Sequence, residues 1–237
     1  MKMAILETDV LTQELQLEFG SYGKMFKALL QDHNKNIEFG VFDVVNTCYP
    51  VLIDDFDVYL ITGSKSSVYE ERAWIKQLKQ FLYEVIESKK IIIGICFGHQ
   101  LIAELLGGKT QKSSKGWGVG VAKSQVILKK PWMLPVSDTF SIIVSHQDQV
   151  TQLPDNAELI ASNDFCLHAM YQINNQILCL QGHPEFSKKY SQSRMLSRLK
   201  LIGERDIKKG IESLNQPIDD QLIAQWIVNF SSNKIQS

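Results

Sequence analysis

Short, continuous apolar runs alternate with amphipathic stretches through the first hundred residues. Lys2–Glu7 reads as a strand, Leu17–Gln31 as an amphipathic helix, Ile37–Val45 as a second strand and Asp57–Thr62 as a third, closed by Gly63 and a Ser-rich loop to Ser67. A long helix is expected over Glu70–Ser88, then the β-branched run Ile91–Ile95, then a helix over Gly98–Leu106 stopped by Gly107-Gly108. Runs without polar alternation belong to strands buried on both faces, so this half reads as an α/β unit with a parallel sheet covered by helices. Beyond Gly108 the pattern changes to alternating strands at Gly118–Leu128, Thr139–Val144, Glu158–Ser162, Leu167–Ile173 and Gln176–Gln181, expected as antiparallel additions to the same sheet. From about 187 to 237 the pattern is helical, one stretch running to about Gly210 and another near Asp219–Phe230. No repeat or linker composition divides the chain, so residues 1–237 are expected to form a single domain with a helical extension. Leu196, Leu199, Leu201 and Ile202, with Leu222, Ile223, Trp226, Ile227 and Phe230, are expected to pack on the sheet; Lys188, Lys189, Arg194, Arg198 and Lys200 are expected on a solvated face.

Composition narrows the function classes. Lys+Arg 25 against Asp+Glu 26 gives a net charge of -1, which provides no field for nucleic acid or an anionic membrane. The start of the chain meets acidic residues too soon for a signal peptide, and no run approaches the roughly 20 apolar residues of a membrane helix. The cysteines at 48, 96, 166 and 179 show no metal-binding or disulfide spacing, and a cytoplasmic location is expected, with no metal and no cofactor. Cys48, Cys166 and Cys179 read as small core residues.

Cys96 is different. Ile91-Ile92-Ile93-Gly94-Ile95-Cys96-Phe97-Gly98 carries a strand directly into a helix with a glycine two residues either side of the cysteine, the Gly-x-Cys-x-Gly form of a nucleophile elbow. Such a turn exposes the side chain at the carboxyl edge of the sheet, where unpaired amides and the helix dipole favour thiolate. The N–H of Phe97 would point at an oxyanion formed there. A thiolate nucleophile needs a base, and Gln176–Gln181 ends in Gly182-His183-Pro184-Glu185. In an extended stretch His183 and Glu185 face one side, so His183 reads as the base and Glu185 as the group that fixes its tautomer. His99, in the first helical turn after Cys96, is the competing base. His33, His146 and His168 lack comparable context, although His146 stands at a strand end and could line the cleft.

Gly94-Ile95-Cys96-Phe97-Gly98-His99-Gln100 and Gly182-His183-Pro184-Glu185 together resemble the class I, triad-type glutamine amidotransferases. The resemblance extends over roughly residues 1–190 and includes Leu60-Ile61-Thr62-Gly63, Gly116-Trp117-Gly118-Val119-Gly120 and Ser145-His146-Gln147-Asp148; it is to stand-alone proteins similar to the glutaminase domain of GMP synthase. It implies a flavodoxin-like three-layer sandwich. It also implies that Cys96 forms a γ-glutamyl thioester with release of ammonia, completed by His183 and Glu185. Phe97 and Gly63 or Ser64 would supply oxyanion amides, while Gln100, Ser145 and His146 would contact the substrate. Many members carry Gly-Gly-Pro where this chain reads Gly63-Ser64-Lys65, which leaves open which amide completes the oxyanion hole. No Ser-Gly-Gly-x-Asp loop of an ATP-pyrophosphatase is present, so any ammonia acceptor is expected on a separate synthetase or acceptor subunit. Two alternatives stand beside glutamine hydrolysis: a γ-glutamyl peptidase with the same triad, and a binding protein that does not turn over or that needs a partner to order its oxyanion loop.

Overall fold

The computed structural model describes residues 1–232. Strand β1 (Lys2–Glu7) leads into helices α1 (Gln13–Phe19) and α2 (Tyr22–Gln31) and strand β2 (Glu38–Asp43). Strand β3 (Val58–Ile61), α3 (Ala73–Glu87), β4 (Ile91–Ile95) and α4 (Phe97–Leu105) continue the alternation. Seven strands follow: β5 (Lys109–Lys112), β6 (Gly118–Val126), β7 (Thr139–His146), β8 (Asp148–Gln152), β9 (Ala157–Ser162), β10 (Met170–Ile173) and β11 (Ile177–Leu180). Helices α5 (Lys188–Ser197), α6 (Leu199–Ile202), α7 (Glu204–Ser213) and α8 (Asp220–Ser232) close the described chain, and the rest of the expected tail, 233–237, lies outside the described residues.

The main sheet has the order β2-β1-β3-β4-β11-β10-β9-β6-β7. Its first five strands are parallel and the remainder antiparallel; the expected antiparallel addition at Gln176–Gln181 is corrected, since β11 runs parallel to β4 and joins the buried parallel set, while β6, β7, β9 and β10 are antiparallel as expected. Side-chain alternation sorts the two faces. Met3, Ile5, Val58, Leu60, Ile91 and Ile93 meet Phe26 and Leu30 of α2 and Ile223 and Trp226 of α8. Ala4, Leu6, Tyr59, Ile61 and Ile92 meet Trp74, Ile75 and Leu78 of α3 and Phe97 and Leu101 of α4. Three layers result, with a flavodoxin-like centre.

Several elements depart from the pattern reading. The single helix expected over Leu17–Gln31 is two, because Gly20 takes a positive φ of 80° and the Ser21 hydroxyl caps α2 by accepting from the Lys24 N–H. Strands β5 and β8 form a separate small antiparallel sheet; their sequences are mostly polar and bury little beyond Thr110, Gln149 and Val150, so hydrophobic pattern gives no signal for them. The stretch expected to run to Gly210 breaks into α5, α6 and α7 at Arg198 and at Gly203, whose φ is 93°. The breaks turn Leu196, Leu199 and Leu201 outward, leaving them exposed instead of on the sheet; only Ile202 of that group is buried. Arg194 is buried rather than solvated, because it pairs with Asp9, and Arg198 is half-buried. Cys48 is exposed, in the loop that follows β2 and the left-handed turn at Thr47, whereas Cys166 and Cys179 are buried as expected.

Candidate active site

Strand β4 delivers Cys96 into a backbone conformation of φ 50°, ψ -92°, a strained region for a residue with a Cβ. Hydrogen bonds to both neighbouring strands hold the turn: the Cys96 N–H donates to the Leu180 carbonyl at 2.8 Å, and the Gly98 N–H donates to the Thr62 carbonyl at 3.3 Å. The flanking glycines are required by space. A Cβ on Gly94 would lie 2.8 Å from the Gly98 carbonyl carbon, and one on Gly98 would lie 2.7 Å from the Ile61 carbonyl oxygen. Phe97 opens α4, where helix geometry leaves its N–H without an intrahelical acceptor beside the Cys96 side chain.

Leu180 of β11 pairs in register with Ile95 of β4, so the chain leaving β11 emerges next to the elbow. The His183 N–H donates to the Ile143 carbonyl of β7 at 2.8 Å. The chain then turns rather than continuing extended: the Phe186 N–H returns to the His183 carbonyl at 3.4 Å, with Pro184 at the second position of the turn, where its fixed φ is favoured. This turn, and not the same-side geometry of an extended stretch, brings Glu185 Oε1 to 2.8 Å from His183 Nδ1. The Cys96 side chain is close enough to the same imidazole to favour its charged form. Phe186 stacks on the ring with centroids 3.9 Å apart and planes at 11°. Burial opposes the charged imidazolium, but the Glu185 carboxylate and then Cys96 more than offset it, and the His183 pKa is pushed up to about 10.

Gly63, at the end of β3, abuts both partners: a Cβ there would lie 2.6 Å from His183 Cε1 and 3.5 Å from Cys96 Cβ. His99 points elsewhere. It is fully buried, its Nε2 bonds the His168 carbonyl at 2.8 Å, its ring lies against Tyr171, and burial drives its pKa down to about 3, so it is a neutral structural imidazole.

Cys96 opens onto a cleft of about 430 Å³ whose walls include Ser64, Gln100, Ser145, His146 and Asp148. The family model for class I glutamine amidotransferases matches residues 22–201. This chain belongs to the class I glutamine amidotransferase family. Within it, gamma-glutamyl peptidase 4 of Arabidopsis thaliana is 32% identical over 177 residues, covering 72% of this chain and 70% of that protein. A GMP synthase of Borreliella burgdorferi is 31% identical over 179 residues, which span 72% of this chain and 32% of that longer protein. Among solved structures, a glutamine amidotransferase from Thermotoga maritima superposes with a TM-score of 0.76 at 17% identity, covering 98% of this chain and 97% of that one. Membership of this amidotransferase family indicates hydrolase or amidotransferase activity.

Gln100, Ser145 and His146, expected to contact a substrate, all line the same cleft. Gln100 Nε2 donates to the Asp148 carbonyl at 2.8 Å and to Gln181 Oε1 at 3.1 Å, leaving its own carbonyl oxygen as the acceptor it can offer a ligand. Ser145 Oγ and His146 Nε2 are buried without hydrogen-bond partners among the described residues, so each retains capacity for a ligand. Burial, with the His183 charge as a lesser cause, lowers the His146 pKa to about 4 and keeps that ring neutral.

Pattern reading missed the residues that support this arrangement. Thr8, just past β1, donates its hydroxyl to the Gly63 carbonyl at 2.9 Å and to the Thr62 carbonyl at 3.1 Å, and its carbonyl accepts from Ser64 Oγ at 2.7 Å. Lys65, Arg194 and Arg198 also line the cleft. Nothing local in Thr8 or the two arginines signals a role, since each reaches the cleft only through the fold. Among the described residues no group of three or more His, Cys, Asp or Glu side chains could hold a metal ion, and no helix is long and apolar enough to cross a membrane.

Proposed function

We propose that this chain hydrolyses γ-glutamyl amide bonds through a thioester on Cys96. The observation that carries the reading is one arrangement: Glu185 on one nitrogen of His183, Cys96 close to the same ring with both against Gly63, and the cysteine set on a strained turn facing an open cleft. With His183 holding the proton, the Cys96 sulfur attacks the γ-carbonyl, forming a C–S bond and a tetrahedral oxyanion. The Phe97 N–H and an amide of Gly63 or Ser64 stabilise that oxygen. His183 gives its proton to the departing nitrogen as the C–N bond breaks, releasing ammonia or an amine. Water, deprotonated by His183, then attacks the thioester, freeing the γ-carboxylate of glutamate and returning the proton-sharing pair to its starting state. Gln100, Ser145 and His146 hold the glutamyl group. The oxyanion loop is already tied to Thr8, which favours turnover by the chain alone over a requirement for a partner to order that loop.

Glutamine is the simplest substrate of this kind. The peptidase reading is favoured by a further observation: a cleft of about 430 Å³ falls within the roughly 300–1,000 Å³ that accommodates drug-sized ligands, more than the ten or so heavy atoms of glutamine need. The test is mass spectrometry after exposure to a glutamine-mimicking electrophile, alongside assays of ammonia release from glutamine and of cleavage of γ-glutamyl peptides. One adduct on Cys96, none on Cys96→Ala and loss of all turnover in that variant are expected. Labelling of another residue with Cys96 untouched would overturn the proposal.

A further inference from the structure

The peptide planes of the Gly63–Ser64 loop distinguish its two amides. Strands β1, β3 and β4 lie side by side in that order, so Gly63, just past β3, stands between Thr8, just past β1, and Cys96, just past β4. The Gly63 carbonyl points to the β1 side, where it accepts from the Thr8 hydroxyl at 2.9 Å. A trans peptide sets its C=O and N–H in opposite directions, so the Ser64 N–H is directed away from Thr8, towards the β4 side on which the cysteine lies. No acceptor among the described residues takes that N–H, and Ser64 lines the cleft. The Gly63 N–H belongs to the preceding peptide. Its carbonyl, that of Thr62, accepts from the Gly98 N–H of α4 at 3.3 Å as well as from the Thr8 hydroxyl at 3.1 Å, so the Gly63 N–H is turned away from α4.

Thr8 is itself held in place. It is 1% exposed, its N–H donates to Thr62 Oγ1 at 3.0 Å, and its carbonyl accepts from Ser64 Oγ at 2.7 Å. Ser64 Oγ also accepts from the Ser66 N–H at 3.2 Å, so this side chain is occupied and the main-chain N–H is what Ser64 offers to the cleft. Rotating the Gly63–Ser64 peptide would strand a buried carbonyl and a buried hydroxyl without partners, which costs about 1–3 kcal/mol for each group left unsatisfied. The hydroxyl of Thr8 therefore opposes the rotation that would carry the Ser64 N–H away from the sulfur.

We propose that Thr8 is a positioning residue whose hydroxyl fixes the Gly63–Ser64 peptide, so that the Ser64 N–H joins that of Phe97 in receiving the oxyanion. The inference rests on the γ-glutamyl hydrolase reading above and assigns the amide which that reading leaves open. The test measures kcat and KM on glutamine or a γ-glutamyl peptide, whichever wild type turns over, in wild type, Thr8→Val and Thr8→Ser. Beside it stands the rate at which iodoacetamide alkylates Cys96. Alkylation displaces iodide from a saturated carbon and forms no oxyanion, so it reports on the thiolate and its turn alone. Thr8→Val is expected to lose about tenfold to a hundredfold in kcat, part of the roughly 10²–10³-fold that removal of a whole oxyanion donor costs. Its KM and alkylation rate should stay within about twofold of wild type, the pattern of a contact made only in the transition state. Thr8→Ser keeps the hydroxyl and should restore most of kcat. Replacement of Ser64 by its α-hydroxy-acid analogue, which puts an ester oxygen where the N–H was, should give the same split whether or not Thr8→Val folds. A wild-type kcat in Thr8→Val, an equal loss of turnover and alkylation, or a Thr8→Ser variant no better than Thr8→Val overturns the positioning role. A wild-type kcat in the ester overturns the choice of donor. Each of these leaves the hydrolase reading intact, whereas a wild type that releases neither ammonia nor an amine overturns both.

Discussion

His183 carries the charge balance of the site, and the sign of its linkage can be measured. Burial alone would lower its pKa; Glu185 is the largest influence in the other direction, and the result is a rise from 6.5 to about 10. A raised folded-state pKa contributes stability that is fully present below pH 6.5 and is lost as pH rises through about 10. Glu185→Gln should therefore lower the titration midpoint of this ring in histidine NMR. The stability gap between wild type and variant, followed by urea denaturation, should narrow as pH rises across that window; a gap that widens with pH would show that Glu185 does not support the imidazolium. The two partners of this pair stand two residues apart in the sequence, which is why their association was legible there. The stacked Phe186 beneath the ring was not, because an aromatic after a turn has many fates and only the folded backbone selects one.

At the scale of elements, the elbow is the segment most completely specified by local sequence. An apolar β-branched run, two glycines and a cysteine between them have few other uses in combination. The glycine at 98 faces backbone, which cannot give way as a flexible side chain can: its Cβ would meet the Ile61 carbonyl oxygen at 2.7 Å and Ile61 Cβ at 2.8 Å. Gly98→Ala should cost about 1–3 kcal/mol in urea denaturation by overpacking, together with slower labelling of Cys96 by an electrophile as the turn shifts. An alanine variant of wild-type stability and labelling rate would show that α4 can move off β3 without consequence. The C-terminal helices show the opposite case. Their apolar spacing pointed to a continuous stretch, but Gly203 at φ 93° and the break at Arg198 rotate successive turns, so exposed leucines and a buried arginine emerge from a pattern that suggested the reverse.

Across the whole molecule, the buried Asp9–Arg194 pair joins the end of the first strand to a helix that follows the last, enclosing one side of the cleft. Removing one member leaves a buried charge uncompensated, at a cost of about 3–5 kcal/mol, whereas removing both by residues of similar size costs much less. Arg194→Met should thus be more destabilising in thermal or urea unfolding than Asp9→Asn/Arg194→Met; additive single-variant effects would show that the pair is not energetically coupled. Local chemistry in the chain determined the alternating strands and helices of the first half, the strained turn at Cys96 and the closeness of His183 to Glu185, because each depends on residues within a few positions of one another; that the two meet through a turn rather than an extended stretch was decided by the fold. Tertiary structure alone decided which distant groups share the cleft. Thr8 behind the Gly63–Ser64 loop, Asp9 between Lys65 and Arg194, and the neutrality of His99 depend on burial and on strand order, properties that no short stretch of sequence carries.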